Sequence, residues 1–359
     1  MRNILLALIM MTAIVACKTT ESVEQKKATA DKLTARLQQL QKKGYMVGHQ
    51  DAPFYGVSWE WDKDRCDIKE SVGDYPAVMG FDLGGIEMGD KKNLDSVPFT
   101  RIHEELIRHH ERGGIVTVSW HPRNPLTGGT AWDVTSDQVV KSVLAGGSQY
   151  DKFQLWMKRV ADYLLTMKDS KGKAVPIIFR PWHENNGSWF WWGQKLCTDE
   201  EFHGLWNMLQ DYLTQRGLTN LVWSYSPNLY GDWDEVKFLV RYPGDDRVTL
   251  IGEDAYQWGT KEDFEKQIIS DLNFLWGFSR KHGKLFALTE CGYKNMPDPT
   301  WWSSVLKPIM DKRPLSYFLL WRNYKQEYFG PTPSRPELVE DFKVFHDADN
   351  VLFLEDIKH

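Results

Sequence analysis

The chain has 359 residues, 42% hydrophobic and 26% charged, a balance too apolar for a disordered chain and too charged for a multi-span membrane protein. Its 49 acidic residues outnumber 44 basic ones for a net charge of −5, which excludes the broad basic patch that nucleic-acid binding needs. The 17 tryptophans, beside 14 tyrosines and 17 phenylalanines, supply flat faces that either fill a large core or stack on sugar rings.

The first elements concern address. Met-Arg-Asn, the apolar run Ile4 to Met10 and the small residues before Cys17 describe a secretory signal, too short to span a membrane. Its end, Ile14-Val15-Ala16-Cys17, resembles a bacterial lipobox. The resemblance implies that residues 1–16 are removed and that Cys17 carries the lipid, with multiple acyl chains anchoring the protein to a membrane. Residues 17–30 read as a polar tether and 31–359 as one domain. The tether does not open with the acidic cluster of a surface-export tag, so an outer-membrane anchor facing the periplasm is expected, with the cell surface as the alternative. Three further cysteines remain in an oxidising compartment: Cys66, Cys197 and Cys291. At most one disulfide can form, and Cys66–Cys197 is the less awkward pairing. None has the spacing of a zinc site.

Leu33, Leu37 and Leu40 recur at helical spacing and predict an amphipathic helix leading into the domain. Eight short apolar runs follow, at Tyr45–Gln50, Ala77–Leu83, Ile115–His121, Val175–Arg180, Leu221–Ser226, Thr249–Ala255, Leu285–Glu290 and Leu315–Arg322. Most are continuously apolar in their first half, as strands covered on both faces are. Helix-like segments lie between them at Phe99–Glu111, Tyr150–Lys168, Thr198–Gln215, Lys261–His282 and Trp301–Lys312. Eight strands with interleaved helices predict a single α/β domain, a (β/α)8 TIM barrel. The alternative, a doubly wound sheet, would often carry a Gly-rich dinucleotide turn; Gly84-Gly85 and Gly113-Gly114 lack its spacing.

Chemistry in such a barrel gathers at the C-terminal strand ends. Here these ends carry His49, Asp51, Asp82, Trp120-His121, Trp182-His183-Glu184, Ser226, Asn228, Glu253-Asp254 with Tyr256, Glu290 and Trp321-Arg322-Asn323. Glu184 lies just past the fourth run and Glu290 ends the seventh, so the barrel would bring them to one mouth. Paired carboxylates suit glycoside hydrolysis, one giving a proton to the leaving oxygen and the other stabilising or attacking the anomeric carbon.

The segment Ile178-Phe179-Arg180-Pro181-Trp182-His183-Glu184-Asn185-Asn186-Gly187-Ser188-Trp189-Phe190-Trp191-Trp192-Gly193 resembles the acid/base segment of glycoside hydrolase family 26, whose best-known members are β-mannanases. Ala287-Leu288-Thr289-Glu290-Cys291-Gly292 resembles that family's nucleophile strand. Val118-Ser119-Trp120-His121-Pro122 and Gly252-Glu253-Asp254-Ala255-Tyr256 resemble two further strand ends, in the same order. The likeness runs over 45–325 and implies a retaining double displacement on β-1,4-mannan, galactomannan or manno-oligosaccharides. Glu184 would be the acid/base and Glu290 the nucleophile, their carboxyl groups about 5–5.5 Å apart. His183 would sit beside the acid, Tyr256 would orient the nucleophile, and Trp189 and Trp321 would face the sugar. His121 and Arg180 would hold hydroxyls or position the carboxylates. Asp82 and Asp254 fit direct sugar contact and orientation of other groups equally, and Trp192 and His49 are weaker contact candidates. Arg180 and Trp192 also have purely structural readings, as an ion-pair partner and as core packing.

Other constellations carry less. His103, His109, His110 and Glu104 fall on one helix as a solvated face would. His183-Glu184 is not the HExxH zinc word, since Gly187 stands where the second histidine belongs. No nucleophile elbow, phosphate loop, metal or other cofactor is implied. The expected partners are a polysaccharide or oligosaccharide substrate and, through the lipid, a membrane; a monomer is expected. The same carboxylates would serve a mixed-linkage β-glucanase or β-1,3-xylanase, and a non-catalytic glycan-binding lipoprotein would need neither. Internal cleavage and release of mannobiose from a chain end both remain open, with 52–76 and 122–150 the segments that could wall off the cleft.

Overall fold

The computed structural model describes residues 21–230 and 232–358, so the signal segment, Cys17 and the start of the tether lie outside the described residues. Eight parallel strands form the centre: β1 Tyr45–Gln50, β2 Val78–Asp82, β3 Ile115–Trp120, β4 Ile177–Pro181, β5 Leu221–Tyr225, β6 Leu250–Tyr256, β7 Leu285–Gly292 and β8 Tyr317–Leu320. Each pairs with the next, and β8 returns to β1 in the register Met46 to Tyr317 through His49 to Leu320, closing the barrel. The main helices are α1 Val23–Leu40, α2 Phe99–Glu111, α3 Tyr150–Leu164, α4 Asp199–Gln215, α5 Lys261–His282 and α6 Pro336–His346. All eight expected strands are present, because runs buried on both faces are the pattern that a parallel barrel imposes.

Alternation along each strand divides the side chains into two cores. Met46, Ile115, Ile178, Val222, Leu250, Leu285, Tyr317 and Leu319 fill the barrel interior. The alternate residues, Val47, Val116, Phe179, Ile251 and Phe318 among them, pack outward into the helical layer. The inner core includes Ala30, Leu33, Leu37 and Leu40, so the apolar stripe of α1 packs against the inward side chains.

Several expectations are corrected. The segment expected as tether up to residue 30 is helical from Val23, with Ser22 and Gln25 closing a reciprocal N-terminal cap. Its polar turns gain a partner only in three dimensions, where the Lys26 ammonium donates to the Gly217 carbonyl at 3.0 Å. Cys66 and Cys197 do not pair: both, like Cys291, are free thiols. Cys66 is buried at the start of a short helix, Asp67–Val72, while Cys197 lies half-buried against Arg241. The helix expected over Trp301–Lys312 is a π-type turn, Trp302–Leu306, followed by one short helix, Lys307–Met310. Helix α6 and the two-residue strand Val351–Leu352 beside β1 extend the fold beyond the last predicted run. Among the described residues no helix is long and apolar enough to cross a membrane.

Candidate active site

The parity that sends Ile178 and Leu250 into the barrel sends Arg180 and Asp254 there too, one layer nearer the C-terminal mouth. The Arg180 guanidinium donates through Nη1 to Asp254 at 2.7 Å and through Nη2 to Glu290 at very short range. Both partners are buried, so one fixed cation serves two carboxylates in a medium where an unpaired charge is costly. Glu290 reaches its place through an irregularity in β7. Glu253 pairs with Leu288 and Asp254 with Glu290, leaving Thr289 as an extra residue. Such a bulge re-aims the side chain that follows it. Thr289 then donates its hydroxyl to Asp254 at 2.8 Å, and the Tyr256 phenol donates to the other Glu290 oxygen at 2.8 Å. The carboxylate is thus held from both sides with its orientation set.

Glu184 stands on a strained turn just past β4. Trp182 and Glu184 both adopt left-handed backbone angles, with φ of 53° and 52°, an arrangement that costs non-glycine residues of order 1–3 kcal/mol each. The surroundings hold it there. Trp182 is fully buried against Trp120, Trp191 and Trp192, with ring centroids 5.4, 5.5 and 5.6 Å away. The Glu184 amide donates to the Ser226 carbonyl at 2.8 Å, and Asn186 exchanges two hydrogen bonds with the backbone of Asn228.

A further clamp comes from Arg241, which the sequence reading did not single out. Its guanidinium donates to the carbonyls of Asn185 at 2.9 Å, Trp192 at 3.1 Å and Cys197 at 2.8 Å, and pairs with Asp199 at 2.8 Å. One planar fork therefore ties both ends of the acid loop together. No local signal marks Arg241, because its partners lie about 40 to 60 residues away along the chain.

Burial and the neighbouring Glu290 charge raise the Glu184 carboxyl to about 7, against the opposing influence of the Trp189 indole N–H, which donates to it, and of Arg180. At neutral pH a large share of Glu184 is therefore protonated, as a general acid requires. Beside it, the Asp82 carboxylate accepts from His121 Nδ1 at 2.7 Å, and His121 Nε2 meets His183 Nε2 at 2.9 Å. Burial works to lower His121, but the Asp82 charge raises it above the ordinary range. Burial and the nearby cations hold His183 well below that range. The chain Asp82–His121–His183 thereby places a neutral imidazole next to the acid.

The remaining predicted residues divide by burial. Trp189 is exposed and Trp321 half-buried at the mouth. Asp82, Arg180 and Asp254 are buried and bound to other protein groups, Asp82 to His121 and Arg180 to both Asp254 and Glu290, so they position His121 and Glu290. Trp192 is fully buried and donates its N–H to the His183 carbonyl at 2.9 Å, which makes it support for the acid loop. His49 shares the outward parity of Val47 and turns away from the barrel interior. Its ring lies under the loop that carries Gly330 and Asn323, where burial lowers it to about 4. Trp132, absent from the predicted set, stacks on His121 with centroids 5.4 Å apart and is half-exposed. Donor atoms of His183, Asp254 and Glu290 come within 4.8 Å of one another, but Arg180 already spans the two carboxylates as their counter-charge.

A parallel (β/α)8 barrel with two carboxylates and exposed aromatic faces at its C-terminal mouth defines the class of barrel glycosidases. Comparison gives the family. Residues 23–348 match the model of glycosyl hydrolase family 26, and the chain belongs to that family. It is 31% identical over 315 residues to a mannan endo-1,4-beta-mannosidase of Bifidobacterium adolescentis, covering 80% of this chain and 31% of that protein. A mannan endo-1,4-beta-mannosidase of Bacillus subtilis is 28% identical, with 71% and 68% covered. The chain thus spans about a third of the first relative and two thirds of the second. Among solved structures, a family 26 β-mannanase from Bacteroides ovatus superimposes with a TM-score of 0.88 at 43% identity, over 92% of this chain and 96% of that one. An endo-beta-1,4-mannanase from Cellulomonas fimi gives 0.83 at 28% identity, over 92% and 76%.

One pH effect follows from the raised Glu184 carboxyl. On substrates with poor leaving groups, kcat/KM is expected to fall as pH rises through about 7, because the proton to be donated is lost. A pH–rate profile with no alkaline loss below pH ~9 would contradict the assignment of Glu184 as the acid.

Proposed function

We propose that this chain is a retaining glycoside hydrolase that cleaves β-1,4-mannosidic linkages. The observation that carries the reading is the division between its two carboxylates, Glu184 raised to about 7 and Glu290 held by Arg180 and Tyr256. Glu290 attacks the anomeric carbon as Glu184 passes its proton to the departing glycosidic oxygen, leaving a glycosyl ester on Glu290. Glu184, now a carboxylate, takes a proton from water, whose oxygen attacks the same carbon and releases Glu290. The names of the Bifidobacterium, Bacillus and Bacteroides relatives support mannan as the substrate.

Two experiments test the mechanism and the substrate. Glu290→Ala should abolish turnover with the fold intact, while Glu184→Ala should lose activity on mannan yet keep much of the first step on activated aryl glycosides. Equal loss on both substrates for Glu184→Ala would remove its role as acid. In parallel digests, linear β-1,4-mannan and mannopentaose should be cleaved while mixed-linkage glucan and β-1,3-xylan are left intact. The opposite preference would keep the carboxylates and replace the substrate.

We further propose that acylation at Cys17 anchors the enzyme to the outer membrane on its periplasmic side, as the lipobox-like segment and the missing acidic tag imply. Degradation of the protein by protease added to intact cells would refute that orientation.

A further inference from the structure

The end of the barrel opposite the mouth is closed by α1, whose hydrogen bonds to the rest of the chain fall mainly where strands begin. Ahead of β5, the Lys26 ammonium donates to the Gly217 carbonyl at 3.0 Å, and the Thr219 hydroxyl donates to the Val23 carbonyl at 2.7 Å. Ahead of β3, Arg36 donates to the Gly113 carbonyl at 2.7 Å, and ahead of β8 the Ser316 hydroxyl donates to Gln41 at 3.1 Å. Glu21, just before the helix, accepts from the Ala174 amide at 2.6 Å ahead of β4. The helix therefore lies across the base of the barrel, its apolar stripe inward on the strand core and its polar side turned out.

That outer side is basic, on a chain whose net charge is −5. Lys27, Lys32, Lys42 and Lys43 are exposed on and just after α1, and Lys168, Lys171 and Lys173 on the turn before β4. None of these lysines forms an ion pair among the described residues, whereas Lys158, Lys237, Lys281 and Lys294 elsewhere are each paired with an acid. Two of the few acids in the same segments are already engaged: Asp169 accepts from the amides of Lys171 and Lys173 at 2.9 and 2.8 Å, and Glu21 from Ala174. A basic surface without internal counter-charge is complementary to an anionic one. Cys17 stands four residues before Glu21, a reach of at most about 14 Å, so a lipid there would keep this face close to the bilayer. We propose that the base formed by α1 and residues 168–173 is a contact surface for anionic phospholipid headgroups, holding the barrel with its mouth turned away from the membrane. This rests on the proposed acylation of Cys17.

The test is a lysine footprint of the acylated protein, extracted from cell membranes and reconstituted into vesicles of phosphatidylcholine alone or with one quarter phosphatidylglycerol. An uncharged acetylating reagent is added, and the rate at each lysine is read by mass spectrometry against Lys325, which lies past the end of β8 on the mouth side. With phosphatidylglycerol, the relative rates at Lys32, Lys171 and Lys173 should fall roughly threefold, and they should recover at about 1 M salt, where the screening length is about 3 Å. Lys171→Glu with Lys173→Glu, both exposed positions, should abolish the protection of Lys32 while the protein stays on the vesicles. Equal relative rates on the two vesicles, or protection of Lys325 in place of the base, would overturn the proposal. Failure of the anchoring reading looks different: the N-terminal peptide would carry no acyl mass and the protein would not float with phosphatidylcholine vesicles, and the oriented contact would fall with it.

Discussion

Arg180 is the constraint on which the site depends. A guanidinium enclosed in a barrel cannot lose its charge and cannot remain unpaired, so the structure must bring carboxylates to it. Asp254 and Glu290 meet that need from two neighbouring strands. The same pairing sets Glu290 beside Glu184, where its charge adds to burial in raising the Glu184 carboxyl. A structural requirement and a catalytic one are therefore satisfied by one ion-pair cluster, which gives the two carboxylates different surroundings without a difference in residue type.

The acid loop shows the cost of this arrangement. Glu184 occupies a left-handed conformation that its side chain disfavours, and three kinds of interaction compensate. Tryptophan packing beneath Trp182 supplies buried area, the Asn186–Asn228 exchange matches backbone groups across strand ends, and Arg241 gathers three carbonyls of the loop. A site held this way is pre-organised before substrate arrives. The large number of tryptophans thus divides between two uses: Trp120, Trp182, Trp191 and Trp192 support the loop from inside, while Trp132, Trp189 and Trp258 present faces to the mouth.

Legibility in the sequence followed the range of the interaction. The eight strands were legible because burial on both faces leaves a continuous apolar run; Glu184, Glu290 and Tyr256 stand at or just past the ends of such runs, and their roles were legible only through the likeness of those segments to glycoside hydrolase family 26. The first turns of α1 were not, since Lys26 is polar and its partner Gly217 is remote. The Cys66–Cys197 pairing failed for the same reason: residue count limits how many bridges can form and says nothing of where two thiols lie. His49 and Trp192 carry the right chemistry but the wrong direction. Strand parity turns one outward, and the acid loop folds the other into the core.

The sequence by itself determined the barrel and the order of its strands through hydrophobic period, and the two carboxylates through the family-like segments around them, because both are local properties of the chain. The tertiary structure decided which buried groups pair. Arg180 could have met any of several acids; the bulge at Thr289 and the register of β6 with β7 select Asp254 and Glu290. It also decided the protonation of Glu184 and the clamp from Arg241. Charge, desolvation and hydrogen bonding depend on distances through space, and those arise only when the strands close on one another.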